Sequence, residues 1–320
     1  MKKIAIYTGS RADYGILKSL ILECKKKKKI QTKIYVGGVH FSKNFGETFK
    51  EIIKDKIKVD FSSKVQIKKT GNLDILNFMS ESLKEYTKIL NIYKPDLIVV
   101  LGDRYETYTF VIAAFFLNIR IAHIHGGEVT EGAFDDALRH SISKLSDYHF
   151  VTHKSYKKRL IQLGENKQNI FLVGSLGVQN FISSKKVSKA KLFEKYKIPL
   201  NKKIVLVTFH PETKGKINIK DQIKILISAL GFIKNVFFIF TYNNMDTCGS
   251  YFIKNVKSFK QKYKNCLIFK SMGTNLYYNF ISNVDLVLGN SSSGIIEVPA
   301  AKTPTLDIGS RQVGRLKSSS

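Results

Sequence analysis

The sequence predicts an α/β protein with two doubly wound domains, each built on a parallel β-sheet. The chain has 320 residues, of which 43% are hydrophobic, so it can fill the cores of two ordinary domains. Short apolar runs rich in β-branched residues alternate with helix-like patterns from end to end, which is typical of parallel sheets covered by helices. A polar, lysine-rich stretch at 184–203 divides this alternation into two series.

The first series predicts a domain over residues 1–183. Its strands are apolar runs bounded by polar or glycine-containing turns, and we place them at 3–8, 32–37, 96–101, 119–124, 148–153 and 170–174. Helical periodicity in the intervening segments predicts helices near 14–25, 72–93, 105–117, 134–146 and 154–163.

The second series predicts a domain over 204–320, after a connection at 184–203 that contains one short helix. The predicted strands are 203–210, 235–242, 266–270, 285–290 and 303–309, and the predicted helices are 218–231, 250–264, 274–282 and 292–301. Doubly wound sheets bind ligands at the carboxyl ends of their strands. We therefore expect the ligand site in the cleft between the two domains.

The charge of the chain is strongly positive. Lysine and arginine number 53 against 25 acidic residues, a formal net charge of +28, which suits a nucleic acid, a membrane surface or a small anionic ligand. The lysines are dispersed along the whole chain, and isoleucine and asparagine are also abundant. Biased genome composition therefore accounts for the excess at least as well as function does, and we expect no nucleic-acid partner.

The sequence shows neither a secretory signal nor a membrane span. Polar residues at 8–11 interrupt the amino-terminal apolar run, and the apolar stretch 110–117 is too short to cross a bilayer. Cys24, Cys248 and Cys266 form no CxxC pair, so we interpret them as ordinary thiols. We expect a cytoplasmic protein with no membrane partner.

Two polar motifs of the first domain follow predicted strands. TGSRADYG (8–15) leads into a helix, so its backbone amides and Arg11 suit a phosphate, although such a turn also occurs for structural reasons alone. LGDRYE (101–106) places Asp103 at a strand end, where the carboxylate is either a base or a cap of the next helix.

HIHGGEVTEGAFDDALRH (123–140) follows the next strand and concentrates titratable residues. His123 and His125 alternate along the strand and face the same side, which permits metal chelation, but no third ligand follows at metal-site spacing. We therefore expect no metal. Asp135 lies near the start of a helix, where Arg139, one turn on, can hold it ionised.

The second domain carries FHPET (209–213), GNSSSGIIEVPA (289–300) and RQVGR (311–315). Serine hydroxyls and exposed amides at a helix start, with Gly294 allowing close approach of a backbone, suit a diphosphate. Glu297 either accepts from a sugar hydroxyl or lies on a solvated helix face. The arginines of RQVGR add two cations.

Taken in order, these motifs resemble the hydrolysing UDP-N-acetylglucosamine 2-epimerases of sialic and legionaminic acid biosynthesis, over essentially the whole chain. The resemblance implies a GT-B-like fold of two Rossmann-like domains, nucleotide binding mainly by the second domain, and a homodimer. It implies elimination of UDP across C1 and C2, then hydration to N-acetylmannosamine, with no metal or redox cofactor. Beside these relatives the second domain is incomplete at its C-terminus, so we expect a truncated chain.

Matched position by position, the resemblance also implies roles for individual residues. Asp103, Glu128 and Asp135 are the carboxylates expected to transfer protons. Some relatives carry a carboxylate at the position of His125, so the assignment between His125 and Glu128 stays open. The residues expected to bind the nucleotide sugar are Arg11, His210, Ser292, Ser293, Glu297 and Arg311.

Three alternatives remain at this stage. The sequence of residues 130–140, TEGAFDDALRH, also resembles that of relatives that act on UDP- or GDP-linked 2,4-diacetamido-2,4,6-trideoxyhexoses on the way to legionaminic acid. A glycosyltransferase of the same two-domain shape is a second alternative, and a lysine-rich nucleic-acid-binding protein is the third.

Overall fold

The computed structural model describes residues 1–42, 47–66, 71–131, 135–210, 212, 217–242 and 249–318. They form two compact units, the first made of Met1–Val129 and Phe134–Leu176 and the second of Thr130–Ala133 and Gly177–Ser320. Each unit contains a parallel sheet with helices, so the predicted α/β class is confirmed. Cys248, residue 134 of a predicted helix, and residues 211 and 213 of FHPET lie outside the described residues.

In the first unit, strands and helices alternate along the chain. The elements are β1 (Lys2–Thr8), α1 (Arg11–Lys26), β2 (Ile30–Val36), α2 (Phe49–Lys54), β3 (Phe61–Ser62), α3 (Asn72–Tyr93), β4 (Leu97–Leu101), α4 (Tyr105–Phe116), β5 (Arg120–Ile124), α5 (Asp135–Lys144), β6 (Tyr148–Val151), α6 (Lys154–Gln162) and β7 (Ile170–Leu172). Over the described residues the strand order is β3-β2-β1-β4-β5-β6-β7, and all pairs are parallel.

Successive side chains of a strand point to opposite faces of a sheet, and helices bury both faces of this one. On one face Tyr7 of β1 stacks on Phe110 of α4, with ring centroids 4.5 Å apart. On the other face Ile6 packs with Leu17 and Ile21 of α1, all fully buried. Each such aliphatic side chain contributes roughly 2 kcal/mol relative to an exposed one.

The second unit repeats this plan on a smaller scale. Its elements are α7 (Leu176–Ile182), which begins at the last residue of the first unit, α8 (Lys189–Tyr196), β8 (Lys203–Thr208), α9 (Ile219–Phe232), β9 (Val236–Thr241), α10 (Gly249–Lys262), β10 (Cys266–Phe269), α11 (Gly273–Ile281), β11 (Leu286–Gly289), α12 (Ser293–Ala300) and β12 (Thr305–Asp307). Within the described residues the order is β10-β9-β8-β11-β12, again parallel.

The second unit begins earlier in the chain than the sequence indicated. Residues 177–183, assigned above to the first domain, pack with the second unit, because Phe181 of α7 is buried against Tyr278 of α11, 5.5 Å between ring centroids. The Tyr278 hydroxyl also donates to the Gly177 carbonyl at 3.1 Å. Helix α8 is the one short helix expected in the connection at 184–203.

Each sheet has one point at which the strand order reverses. This point lies between β1 and β4 in the first unit and between β8 and β11 in the second. The loops that leave neighbouring strands in opposite directions there open a crevice at the carboxyl edge of the sheet, the usual ligand position in such folds. The motifs TGSRADYG, LGDRYE, FHPET and GNSSSG all follow these four strands.

Candidate active site

The loop after β1 is fixed by hydrogen bonds at the start of α1. Ser10 is the N-cap, its Oγ accepting from Asp13 N at 3.3 Å, while the Asp13 carboxylate accepts from Gly9 N at 3.2 Å. Burial raises the pKa of Asp13 to about 6, with Arg104 opposing the shift. Arg11, the first helical residue, is half-buried, and this burial lowers its pKa. The loop therefore holds Arg11 at the helix amino terminus predicted for it.

Asp103, in the loop after β4, contacts a buried arginine. Its carboxylate accepts a hydrogen bond from Nη2 of Arg139, whose side chain is 1% exposed. Arg139 Nη1 donates to the Glu128 carbonyl at 3.1 Å and to Asp136 Oδ1 at 3.4 Å. Arg104, and not Asp103, occupies the N-cap position of α4. The carboxylate is thus directed at Arg139, and the capping alternative is wrong.

The loop 125–128 after β5 joins a histidine to a carboxylate. His125 has a left-handed backbone, φ +68°, and its Nδ1 lies 3.2 Å from Glu128 Oε1, which also accepts from Thr152 Oγ1 at 3.3 Å. A carboxylate only accepts, so Nδ1 donates in this pair and Nε2 is the ring nitrogen left for another partner. Both side chains are buried, and Nε2 has no hydrogen-bond partner among the described residues.

A second arginine holds the same loop. Arg159 of α6 donates from Nη1 to the Gly127 carbonyl at 2.6 Å. Gly127 has φ +75°, and a Cβ there would lie 2.6 Å from the Tyr156 carbonyl, so only glycine fits. Arg139 and Arg159 therefore hold the carbonyls of two successive residues, 128 and 127.

His123 has a structural role. Its Nε2 donates to the Gly102 carbonyl at 2.7 Å and its Nδ1 accepts from Ser143 Oγ at 3.1 Å, so both nitrogens are engaged within the fold. Complete burial lowers the pKa of His123 to about 3, which keeps the ring neutral. The described residues contain no group of three or more His, Cys, Asp or Glu side chains suited to a metal.

Asp135 is the first residue of α5 and is partly buried. Its neighbour Asp136 contacts Arg139, three residues further along the helix, at 3.4 Å, and His140 at 3.7 Å. The first turn of α5 thus presents two adjacent carboxylates beside a buried arginine. The pairing of Asp135 with Arg139 that the sequence suggested stays a prediction, and the contacts of Arg139 with Asp136 and Asp103 were not foreseen.

In the second unit, Asn290 organises the loops after β8 and β11. Its side-chain Oδ1 accepts from His210 N and its Nδ2 donates to the His210 carbonyl, both at 2.7 Å. The carbonyl of Asn290 accepts from Gln312 Nε2 at 2.7 Å and from Arg311 Nη1 at 3.2 Å. One buried residue therefore joins two of the predicted binding residues, holding His210 through its side chain and Arg311 through its backbone carbonyl.

The start of α12 brings serines together with a buried carboxylate. Ser292 is at the N-cap position and Ser293 begins the helix, its N–H donating to Ser291 Oγ at 3.4 Å. Glu297, one turn on, is 7% exposed, so the solvated-face alternative is wrong. A Cβ at Gly177 would lie 2.1 Å from Glu297 Oε1, which shows how closely this backbone approaches the carboxylate.

Several residues of these networks were not predicted as site residues. Thr152, Glu212 and Asn290 hold other loop groups in place, and Arg139 was foreseen only as a neighbour of Asp135. Glu212, from FHPET, accepts from Ser310 N and Ser310 Oγ, both at 2.6 Å, and so holds the loop that carries Arg311. For Arg139, Glu212 and Asn290 the signal in the sequence was their position inside motifs, but their partners are distant in the chain.

Doubly wound sheets with small polar residues, arginines and carboxylates at the switch points are typical of α/β proteins that bind nucleotides. The profile of one such family, described as UDP-N-acetylglucosamine 2-epimerase, matches residues 22–320. The chain belongs to this family, which confirms the resemblance drawn from the motifs.

Two curated relatives and one solved structure show how far the similarity extends. The chain is 40% identical over 321 residues to the polysialic acid biosynthesis protein P7 of Escherichia coli, covering 100% of this chain and 82% of the relative. It is 36% identical over 322 residues to the GDP/UDP-N,N'-diacetylbacillosamine 2-epimerase (hydrolyzing) of Campylobacter jejuni, covering 99% and 82%.

Among solved structures, the chain is similar to the UDP-GlcNAc 2-epimerase of Neisseria meningitidis, solved with UDP-GlcNAc bound. The TM-score is 0.78 at 19% identity, covering 96% of this chain and 82% of that one. At this identity the match supports the fold, which is GT-B-like in the solved relatives. Within the described residues, no helix combines the length and apolar character needed to cross a membrane.

Proposed function

We propose that the protein is a hydrolysing 2-epimerase that converts UDP-N-acetylglucosamine into N-acetylmannosamine and UDP, for nonulosonic (sialic) acid biosynthesis. The observation that carries the proposal is the contact of Asp103 with Arg139, which also holds the loop of the His125–Glu128 pair. Membership of the 2-epimerase family and the polysialic acid name of the Escherichia coli relative support the substrate.

The reaction proceeds in two steps, each of which needs a proton transfer at C2. In the elimination, a base removes the C2 proton while the C1–O bond breaks, so that UDP leaves and a C1=C2 double bond forms. In the hydration, water adds its hydroxyl to C1 and a proton returns to C2 on the opposite face. The second step gives N-acetylmannosamine, and no electron is gained or lost overall.

The first unit supplies the groups for these transfers. Asp103, in contact with the permanent cation of Arg139, is the base for the C2 proton. His125 returns a proton through Nε2, because Glu128 at Nδ1 stabilises the protonated ring in the way that the triad carboxylate stabilises its imidazolium. Asp135, at the first residue of α5, is the remaining candidate for proton transfer.

The second unit binds the nucleotide. Amides at the amino terminus of α12, with Ser292 and Ser293, stabilise the charge that develops on the departing diphosphate. Arg311 and His210 are held at the adjacent loop by Asn290. Glu297, buried one turn into α12, accepts from a ribose hydroxyl, and Arg11 of the first unit adds a phosphate-binding cation. None of these steps uses a metal or redox cofactor.

The decisive experiment is turnover of UDP-N-acetylglucosamine in deuterium oxide. We expect equimolar UDP and a free manno-configured sugar that carries deuterium at C2, because the returning proton comes from solvent. The products are identified by NMR and mass spectrometry. A product without label at C2, or intact substrate after prolonged incubation, refutes the proposal.

Asp103→Asn provides the matched control for this experiment. The amide keeps the shape of the side chain but cannot accept the C2 proton. We expect UDP release to fall at least about 1,000-fold, as for loss of a catalytic base, while UDP binding measured by calorimetry stays within a factor of about three of the unsubstituted protein. Retained turnover removes Asp103 from the catalytic groups.

A second candidate substrate is a UDP- or GDP-linked 2,4-diacetamido-2,4,6-trideoxyhexose, used for legionaminic acid. The name of the Campylobacter jejuni relative, at 36% identity, favours it. Comparison of kcat/KM for the two nucleotide sugars decides between them, since the difference is a C4 hydroxyl against a C4 acetamido group. Release of a free sugar without any acceptor separates both from a glycosyltransferase.

A further inference from the structure

We propose that Arg139 is a positioning residue that keeps Asp103 ionised and fixes it relative to the loop 125–128, an inference that rests on the proposed function of Asp103. The side chain is 1% exposed and is among the largest fully buried side chains of the described residues. A guanidinium is stable in such a place only if its donors are paired. The burial of Arg139 is therefore possible only because its partners accept hydrogen bonds from it, and these bonds in turn fix the positions of the partners.

The partners of Arg139 come from three different segments. Asp103 follows β4, Glu128 follows β5, and Asp136 lies on α5 itself. The two terminal nitrogens have different partners: Nη2 donates to the Asp103 carboxylate, and Nη1 donates to the Glu128 carbonyl and to Asp136. A lysine has a single nitrogen and lacks the planar fork, so it cannot reproduce this geometry.

The contact with Arg139 also determines the protonation state of Asp103. An adjacent permanent cation stabilises the carboxylate form and lowers the pKa of the acid. The Asp103 side chain is 20% exposed, so solvent screens this interaction only in part. Other ionisable groups flank Asp103 or share its hydrogen-bond network, and those that are charged also act on it; the groups are Arg104, Glu106, His123, His125, Glu128 and Asp136.

Arg159 offers a matched control within the same loop. It holds the Gly127 carbonyl at 2.6 Å, next to the Glu128 carbonyl held by Arg139. Substitution of either arginine loosens the backbone of this loop. By this proposal Arg139, and not Arg159, keeps Asp103 ionised. The two substitutions should therefore differ in their effect on the pKa of Asp103.

The test is a titration of Asp103 followed by NMR in the full chain labelled with carboxyl-¹³C aspartate. The Asp103 signal is assigned by its loss in Asp103→Asn. In Arg139→Lys we expect the pKa of Asp103 to rise by about one unit or more, with an equal shift of the acid limb of kcat/KM. In Arg159→Lys we expect a lower kcat and an unchanged titration of Asp103.

Asp136→Asn is a second variant, expected to shift the pKa of Asp103 in the opposite direction. It allows the proposal to be tested even if Arg139→Lys does not fold. It removes a carboxylate that shares Arg139, so we expect the pKa of Asp103 to fall. An unchanged titration in both Arg139→Lys and Asp136→Asn overturns the proposal, as does an equal shift in Arg159→Lys. The NMR titration needs no turnover, so failure of the proposed function appears separately, as unconverted UDP-N-acetylglucosamine.

Discussion

His40 shows how single buried residues support the loop that carries Arg11. The ring is fully buried, with Nε2 2.9 Å from Thr8 Oγ1 and Nδ1 2.9 Å from Thr48 Oγ1. Thr8 in turn donates to the Ser10 carbonyl at 3.2 Å. In the neutral ring, Nε2 donates to Thr8 and Nδ1 accepts from the Thr48 hydroxyl. A protonated ring is a donor at both nitrogens, so Nδ1 could no longer accept from Thr48.

Buried neutral histidines make the stability of the protein depend on pH. Burial lowers the pKa of His40 from 6.5 to about 3, so the unfolded chain binds the proton more readily between these two values. The contribution of His40 to the free energy of unfolding is therefore fully present above pH 6.5 and is lost as the pH falls toward 3. We expect His40→Asn to reduce the difference in this free energy between pH 7.5 and 5.5 by about 1 kcal/mol, measured by urea unfolding.

His153 provides the control for this measurement. It is the N-cap of α6, its Nδ1 accepting from Ser155 N at 3.1 Å, and asparagine caps a helix equally well. We expect His153→Asn to keep the pH dependence of the unsubstituted protein. The explanation through His40 fails if both variants show the same dependence on pH.

At the scale of elements, the close pairing of β8 with β11 depends on one glycine. Gly289 ends β11 with φ +144°, and a Cβ there would lie 1.9 Å from the Thr208 carbonyl. The next residue, Asn290, holds His210 through two hydrogen bonds. The absence of a side chain at 289 therefore permits both the strand pairing and the loop geometry that follows it.

We expect Gly289→Ala to lower the free energy of unfolding by more than about 3 kcal/mol, because the methyl group meets backbone rather than a flexible side chain. Gly164→Ala is the control: φ is +85°, and the nearest atom to a Cβ is Lys144 Nζ at 4.0 Å. Backbone strain alone should then cost about 1 kcal/mol. Equal losses in urea unfolding for the two variants contradict the role of the close contact.

For the whole molecule, the net charge of +28 implies self-repulsion in the folded state. Raising NaCl from about 10 mM to about 150 mM shortens the Debye length from about 30 Å to about 8 Å. We expect the midpoint of urea unfolding at pH 7.5 to rise over this range. Glycerol of equal osmolarity controls for solute effects, and a midpoint that is unchanged or lower in salt contradicts the expectation.

The short elements show where prediction from sequence reached its limit. Helix α2, strand β3 and helix α7 were not predicted, whereas the long helices and the buried strands were. Strand β3 has only two residues, too few for an apolar alternation to be visible, and it exists because its backbone pairs with β2. Helix α7 is stabilised by burial of Phe181 against Tyr278, a contact between residues 97 positions apart (278 − 181).

The sequence by itself determined the fold class, the order of the long elements and the placement of the polar motifs at strand ends. These properties follow from local periodicity and turn residues, which act within a few positions of the chain. Only the tertiary structure decided the partners of those motifs. Asp103 meets Arg139 across 36 residues, and His210 meets Asn290 across 80. Such pairs form because parallel strands bring distant loops to the same edge of a sheet, which local patterns do not encode.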